Sequence, residues 1–132
     1  MRITLDTNII IDILKRREPF FADSYLVLLN ALENGDLCMI PVSATTDIAY
    51  ILKSKNDIND KLQRLSYMVR LTDVTAEDFQ EAVKAEMPDF EDALLAVNAK
   101  RNRADCIVTR NAKDFTNSPV RAITPIQFLK EF

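Results

Sequence analysis

The residues of this sequence best suited to chemistry are carboxylates that stand at the ends of short apolar runs. Asp6 directly follows RITL, Asp47 lies a few residues beyond LCMIP, Asp89 and Asp92 open the segment FEDALLAVNAKRN, and Asp114 follows DCIVT by a short loop. The 132-residue chain contains no His, which removes imidazole bases, the Ser-His-Asp and Cys-His nucleophile schemes and every His-containing zinc site. Carboxylate, hydroxyl, amine and metal chemistry remain. Four or five acids gathered in one place repel one another, and are stable together only if some are protonated or a hard cation holds them. Mg²⁺ or Mn²⁺ suits such an all-oxygen set, because it keeps several waters and leaves room for a substrate phosphate.

Each acid also has a plainer reading. Asp6 can initiate a turn, Asp89 can cap the helix that carries Asp92, Asp114 can be an ordinary loop residue, and Asp47 can be a solvated helix residue. Asp92 resists such a reading. One turn on, its neighbours are Leu95, Ala96 and Ala99, a small apolar face that must pack near other elements, where an unpaired carboxylate is costly.

The elements that position these acids follow from apolar periodicity. RITL reads as a strand, and Thr7 or Asn8 as the cap of the helical segment IIIDILKRR. After Pro19, apolar residues at helical spacing run from Phe21 to Leu32, and Asn34-Gly35 stops them. LCMIP is a buried strand, Ser43 caps a helix over ATTDIAYILKS, and a second helix runs from Asp57 to Val69. A strand around RLTDV, a helix from Thr75, the helix FEDALLAVNAKRN, a central strand DCIVT, a last strand VRAI and a short helix capped by Thr124 complete the order. Strands alternating with helices, with no hairpin signal, predict an α/β fold: one Rossmann-like domain over residues 1–132, with a parallel sheet of about five strands flanked by helices. In such sheets ligands bind beyond the carboxyl ends of the strands, where Asp6 and Asp114 fall. The carboxylates of Asp6, Asp92 and Asp114 are expected close enough to share a cation, with Asp47 or Asp89 on the rim.

Composition narrows the class. At 48% hydrophobic residues the chain can bury one core but not two, and a single Gly with five Pro is too few for a turn-dense sandwich. Cys38 and Cys106 lie inside apolar runs, where a thiol fills core space, which fits a reducing cytoplasm. No stretch approaches the roughly 18 apolar residues of a spanning helix, and Asp6 and Asp12 interrupt the N-terminal apolar segment, so no membrane association is expected. A net charge of −3 argues against coating nucleic acid by bulk charge. Local cations remain: Lys15-Arg16-Arg17 and Lys100, Arg101 and Arg103 end helices, where they match the dipole, while Arg110 and Lys113 beside Asp114 are better placed for phosphate.

Taken in this order, the residues resemble a PIN-domain ribonuclease. The likeness covers essentially the whole chain: LDTNIIIDIL, VSATTDIAYIL, DFEDALLAVNAKRNRADCIVTRNAKDF and TPIQFL. LDTN followed by FEDAL and IVTRNAKDF at this spacing is specific, and resembles the small bacterial PIN proteins with the DFEDAL signature, relatives of the toxin ribonucleases of type II toxin–antitoxin pairs. The resemblance implies metal-binding acids at Asp6, Asp92 and Asp114, supported by Thr7 or Asn8 and by Thr109 or Asn111. The family's usual second acid is a Glu; Asp47 stands there, one methylene shorter, and Asp89 is an extra acid able to compensate. The implied activity is Mg²⁺- or Mn²⁺-assisted endoribonucleolytic hydrolysis leaving 5′-phosphate and 3′-hydroxyl ends. RNA is the implied substrate, with an antitoxin protein and a homodimer as the partners it admits. Two other classes stay open. A noncatalytic binding or scaffold module fits a weakened site at Asp47, whereas a phosphohydrolase with Asp6 as nucleophile would expect an acid where Asn8 stands.

Overall fold

A computed structural model describes residues 1–53 and 57–132. Five strands form one sheet in the order β3-β2-β1-β4-β5, and every pairing is parallel. They are β1 (Arg2–Leu5), β2 (Leu37–Pro41), β3 (Arg70–Thr72), β4 (Cys106–Val108) and β5 (Ala122–Ile123). The helices are α1 (Thr7–Lys15), α2 (Phe21–Glu33), α3 (Ala44–Leu52), α4 (Ile58–Met68), α5 (Ala76–Lys84), α6 (Phe90–Arg101) and α7 (Pro125–Glu131), with a 3-10 helix at Ala112–Phe115. The chain builds outward from β1 to β2 and β3, then crosses to β4 and β5 on the other side. The carboxyl ends of β1 and β4 therefore flank the point where the strand order reverses, the usual ligand crevice of an open α/β sheet.

Strand side chains alternate between two cores, as the pleat requires. Ile3, Leu5, Cys38, Ile40, Cys106, Val108 and Ile123 join one cluster with residues of α1, α2, α3, α4 and α7. Ile107 joins the other with Leu95, Ala96 and Ala99 of α6, Phe115 and Val120. The small apolar face of α6 thus lies against the sheet, and half-buried Asp92 is carried in with it. Ile3 stands in register with Cys38 on one side and Cys106 on the other. Both thiols are buried and free, and burial pushes them up to about 12 and about 11 respectively.

Several element boundaries differ from the sequence expectation, each for a local reason. Asp6, rather than Thr7 or Asn8, caps α1, because its side chain accepts from the Thr7 amide. Ser43 precedes α3 in helical backbone conformation, and its side chain makes no capping hydrogen bond. The expected end of that helix at Ser54 lies outside the described residues. β3, β4 and β5 are shorter than RLTDV, DCIVT and VRAI, and the middle place belongs to β1, with β4 between it and β5. Thr75 and Thr124 form full capping boxes with Asp78 and Gln127.

Asp78 also anchors the far end of the sheet. It is 1% exposed, and its oxygens accept from Arg101 Nε at 2.8 Å, Arg101 Nη2 at 3.0 Å and Asn98 Nδ2 at 3.2 Å. Asn98 in turn accepts from the Thr72 hydroxyl at 2.7 Å and donates to the Asp73 carbonyl at 2.8 Å, which ties α5 and α6 to β3. Burial alone would raise the Asp78 pKa, but the Arg101 bonds, the Thr75 amide and Asn98 outweigh it and hold the carboxyl below its usual range. A depressed carboxyl contributes stability above its unfolded pKa of about 3.9, and that contribution disappears as pH falls through the lower folded value. Arg101→Met should leave a buried charge unpaired and lower the unfolding free energy by about 3 kcal/mol at pH 7 in urea titrations. The difference from wild type should shrink as the pH is taken below about 4.

Candidate active site

Asp6 sits at the carboxyl end of the middle strand, where its backbone amide extends the β1–β4 ladder by donating to the Val108 carbonyl at 2.9 Å. Its Oδ1 accepts from the Thr7 amide at 2.8 Å. Its Oδ2 accepts from the Thr109 hydroxyl at 2.7 Å and from Asn8 Nδ2 at 3.2 Å. Thr109 is fully buried, and its hydroxyl also accepts from the Asn111 amide at 3.1 Å, so the loop after β4 is fastened to Asp6 from the first residue. Burial pushes the Asp6 carboxyl up from its ordinary value, opposed by Thr109, Thr7, Arg110 and Asn8. Asn8 Oδ1 is buried and, among the described residues, has no hydrogen-bond partner, an oxygen left available for another ligand.

Asp6 and Thr7 line a cleft of about 280 Å³ together with Asp47, Glu91 and Asp92. Pro41, Phe90 and Leu95 supply apolar surface beside them. Asp89 caps α6, its Oδ1 accepting from the Glu91 amide at 2.7 Å and the Asp92 amide at 3.2 Å. Asp92 is pushed up to about 7, first by burial and then by the negative charges of Asp6, Asp89, Asp114 and Glu91. Glu91 is raised as well, by burial and by Asp47 and Asp89, and it makes a carboxyl–carboxyl contact with Asp47 at the exposed mouth of the cleft. Sequence reasoning missed Glu91. Its signal was present, since the first turn of α6 carries two adjacent acids and α3 brings Asp47 to the same edge of the sheet.

Asp114 lies exposed in the 3-10 helix, whose position is set by buried Phe115 and by the Asp114 amide donating to the Asn111 carbonyl at 2.9 Å. It is near enough to raise Asp92, but it does not line the cleft. The expectation that Asp6, Asp92 and Asp114 stand close enough to share one cation is not met by the side chains as placed: among the described residues no three acids form such a group. Both oxygens of Asp6 accept from donors of the chain, Oδ1 from Thr7 and Oδ2 from Asn8 and Thr109. Asn111 and Lys113 are exposed on the same loop. Arg110, expected to meet phosphate, instead has Nε and Nη2 on the buried Asp12 at 2.7 and 3.3 Å.

A carboxyl whose folded pKa lies above its unfolded value makes the protein less stable as pH rises between the two. For Asp92 that window runs from about 4 to about 7. In metal-free protein, stability measured by urea should fall as pH is raised through this window, and Asp92→Asn should flatten the slope. Carbon-detected NMR titration of the Asp92 carboxyl should place its midpoint near 7.

The fold has counterparts among solved structures. The chain is similar to a toxin–antitoxin complex chain from Klebsiella pneumoniae at TM-score 0.71 and 22% identity, covering 92% of this chain and 96% of that one. It is similar to VapBC2 from Rickettsia felis bound to a promoter DNA fragment at TM-score 0.68 and 20% identity, covering 94% and 98%. Mycobacterium tuberculosis VapC20, described as a sarcin–ricin loop cleaving toxin, aligns at TM-score 0.58 and 14% identity over 80% of this chain and 86% of its own. No curated protein sequence matches the chain. The PIN domain family model matches residues 2–113, from β1 through β4 to the residue before Asp114. A match over that span, on a five-stranded parallel sheet with its acids gathered at the switch point, makes this chain a member of the PIN domain family.

Proposed function

We propose that the chain is a divalent-metal-dependent endoribonuclease acting as the toxin of a toxin–antitoxin pair. The observation that carries this reading is the crowding of Asp6, Asp47, Glu91 and Asp92 around one cleft at the switch point of a PIN fold. The donor set suits Mg²⁺ or Mn²⁺: it is all oxygen, it includes the unpartnered Asn8 Oδ1, and Asp92 is raised by neighbouring negative charge that a cation relieves. When bound, the ion supplies Lewis acidity for phosphodiester hydrolysis.

Asp6 and Asp92, which line the cleft, are proposed to hold the ion directly, with Asp114 acting from the neighbouring loop through water and Asp89 able to contribute once its capping oxygen is discounted. Thr109 and Asn8 keep the Asp6 oxygens oriented, and Thr7 closes the cleft beside them. Asp47, exposed at the cleft, is the carboxylate proposed to accept a proton from attacking water. Lys113, exposed on the loop beside Asp114, is proposed to meet RNA phosphate. The toxin–antitoxin assemblies among the similar structures, and the RNA-cleaving toxin beside them, support RNA as substrate and an antitoxin as partner. No helix among the described residues is long and apolar enough to cross a membrane.

Asp6→Asn preserves size and one of the two acceptor oxygens while removing the charge. It should reduce Mn²⁺-dependent cleavage of single-stranded RNA beyond the roughly 100-fold typical of outer-shell changes at metal sites, with an unaltered circular dichroism spectrum. Asp47→Asn should cost less, because the ligands themselves remain. Saturating Mn²⁺ should raise the thermal midpoint of wild type relative to EDTA, since it binds the native state preferentially. Equal RNA cleavage by wild type and Asp6→Asn in matched preparations would remove the enzyme reading in favour of a binding module.

A further inference from the structure

Asp12 is an acid in the middle of the apolar run of α1, and it is wholly buried. A lone carboxylate in that position is strongly disfavoured, and it is answered by a residue 98 positions away. Arg110 donates from Nε to Asp12 Oδ2 at 2.7 Å and from Nη2 to Oδ1 at 3.3 Å, a two-point grip on a planar group. Ser24 of α2 adds a weaker hydroxyl contact to Oδ2 at 3.5 Å. The other face of the guanidinium lies over the Phe20 ring, 3.9 Å from its centroid.

Thr109 and Arg110 are consecutive, and each is bound to a different carboxylate at α1: Thr109 to Asp6 at the N-cap, Arg110 to Asp12 about 9 Å further along the axis. One tie leaves a pivot, whereas two fix both position and direction. From there the chain runs four residues to Asp114, where the Asn111 carbonyl and buried Phe115 secure the far end. We propose that the Asp12–Arg110 pair is a clamp that sets the path of the Thr109–Asp114 segment relative to Asp6, making Arg110 a positioning residue for the active site and not a contact to RNA phosphate. The part of this inference that concerns the cation rests on the metal-site reading above; the part that concerns the loop does not.

Arg110→Ala leaves Asp12 buried without its partner and is a poor test if the fold is lost, so the informative variant replaces both with an apolar pair, Asp12→Leu with Arg110→Met. Three measurements are made on the full chain after a cooperative urea transition has verified folding. Amide hydrogen exchange at Asn111 and Asp114, without metal, should accelerate at least about 10-fold while core strand amides are unchanged. Calorimetric Mn²⁺ affinity should fall by about 10-fold or more, in the range for residues acting through a ligand, and Arg110→Lys, which keeps the charge but not the two-point grip, should fall between the paired variant and wild type. Binding of a single-stranded RNA oligonucleotide in EDTA should keep its salt dependence. Unchanged exchange at the loop amides overturns the clamp. A salt slope reduced by about 0.7, with Mn²⁺ affinity intact, assigns Arg110 to phosphate instead. If wild type and Asp92→Asn bind Mn²⁺ alike, the metal-site reading fails while faster loop exchange in the paired variant still supports the clamp.

Discussion

The hydrogen bond from the Thr109 hydroxyl to Asp6 Oδ2 joins residues 103 positions apart, and the site depends on it. Parallel pairing of β1 with β4 brings the two to the same edge, but pairing alone leaves a buried carboxylate whose charge is opposed by desolvation. A hydrogen bond to a charged group is worth about 1.5–3 kcal/mol, enough to offset part of that cost. With the hydroxyl bound on one side and the Thr7 amide on the other, Asp6 is held in one orientation at the start of α1. The loop after β4 then follows a fixed course because its first residue is already attached.

The fold treats its acids in two ways. Asp12 and Asp78, at most 1% exposed, each receive an arginine in two-point geometry, and both are satisfied without help from outside the chain. Asp6 receives only neutral donors, and Asp92 is surrounded by further negative charge. The two pairs differ in burial, Asp6 and Asp92 being only partly buried, and above all in the partner. Where the acids serve the scaffold the protein supplies the cation itself, and where they line the cleft it withholds one. Glu91 and Asp47, in contact at the cleft mouth, extend that negative field toward solvent.

The elements were legible because apolar spacing and turn residues are local signals. Asp89 and Thr124 cap their helices as their sequence positions suggest, and the small face of α6 packs against the sheet as its spacing suggests, with Asp92 on it. Where several polar residues compete for a cap the sequence is ambiguous, as at Asp6, Thr7 and Asn8, and the outcome depends on where β1 ends. The gathering of acids at one edge followed from the parallel order of the strands, but their spacing did not. The orientation of Asp6 is decided by which donors its two oxygens meet, and those donors come from both ends of the chain. The two arginine pairs were invisible for another reason: Asp12 with Arg110, and Asp78 with Arg101, are distant in sequence, and an isolated Arg gives no sign of whether it faces solvent or a buried carboxylate. In Asp12 the warning was an acid inside an otherwise apolar helix face.

The register of the middle strand has a bearing on how the protein can be handled. Cys38 and Cys106 lie level with Ile3 on opposite sides of it, so two strand spacings, about 9.5 Å, separate their backbones. A disulfide spans at most about 7 Å between α-carbons, so these two thiols cannot be joined while β1 lies between them. Burial keeps both protonated at neutral pH, and a protonated thiol is a poor nucleophile. Alkylating reagents therefore gain access when the sheet opens, which turns the rate of cysteine labelling into a clock for opening at its centre.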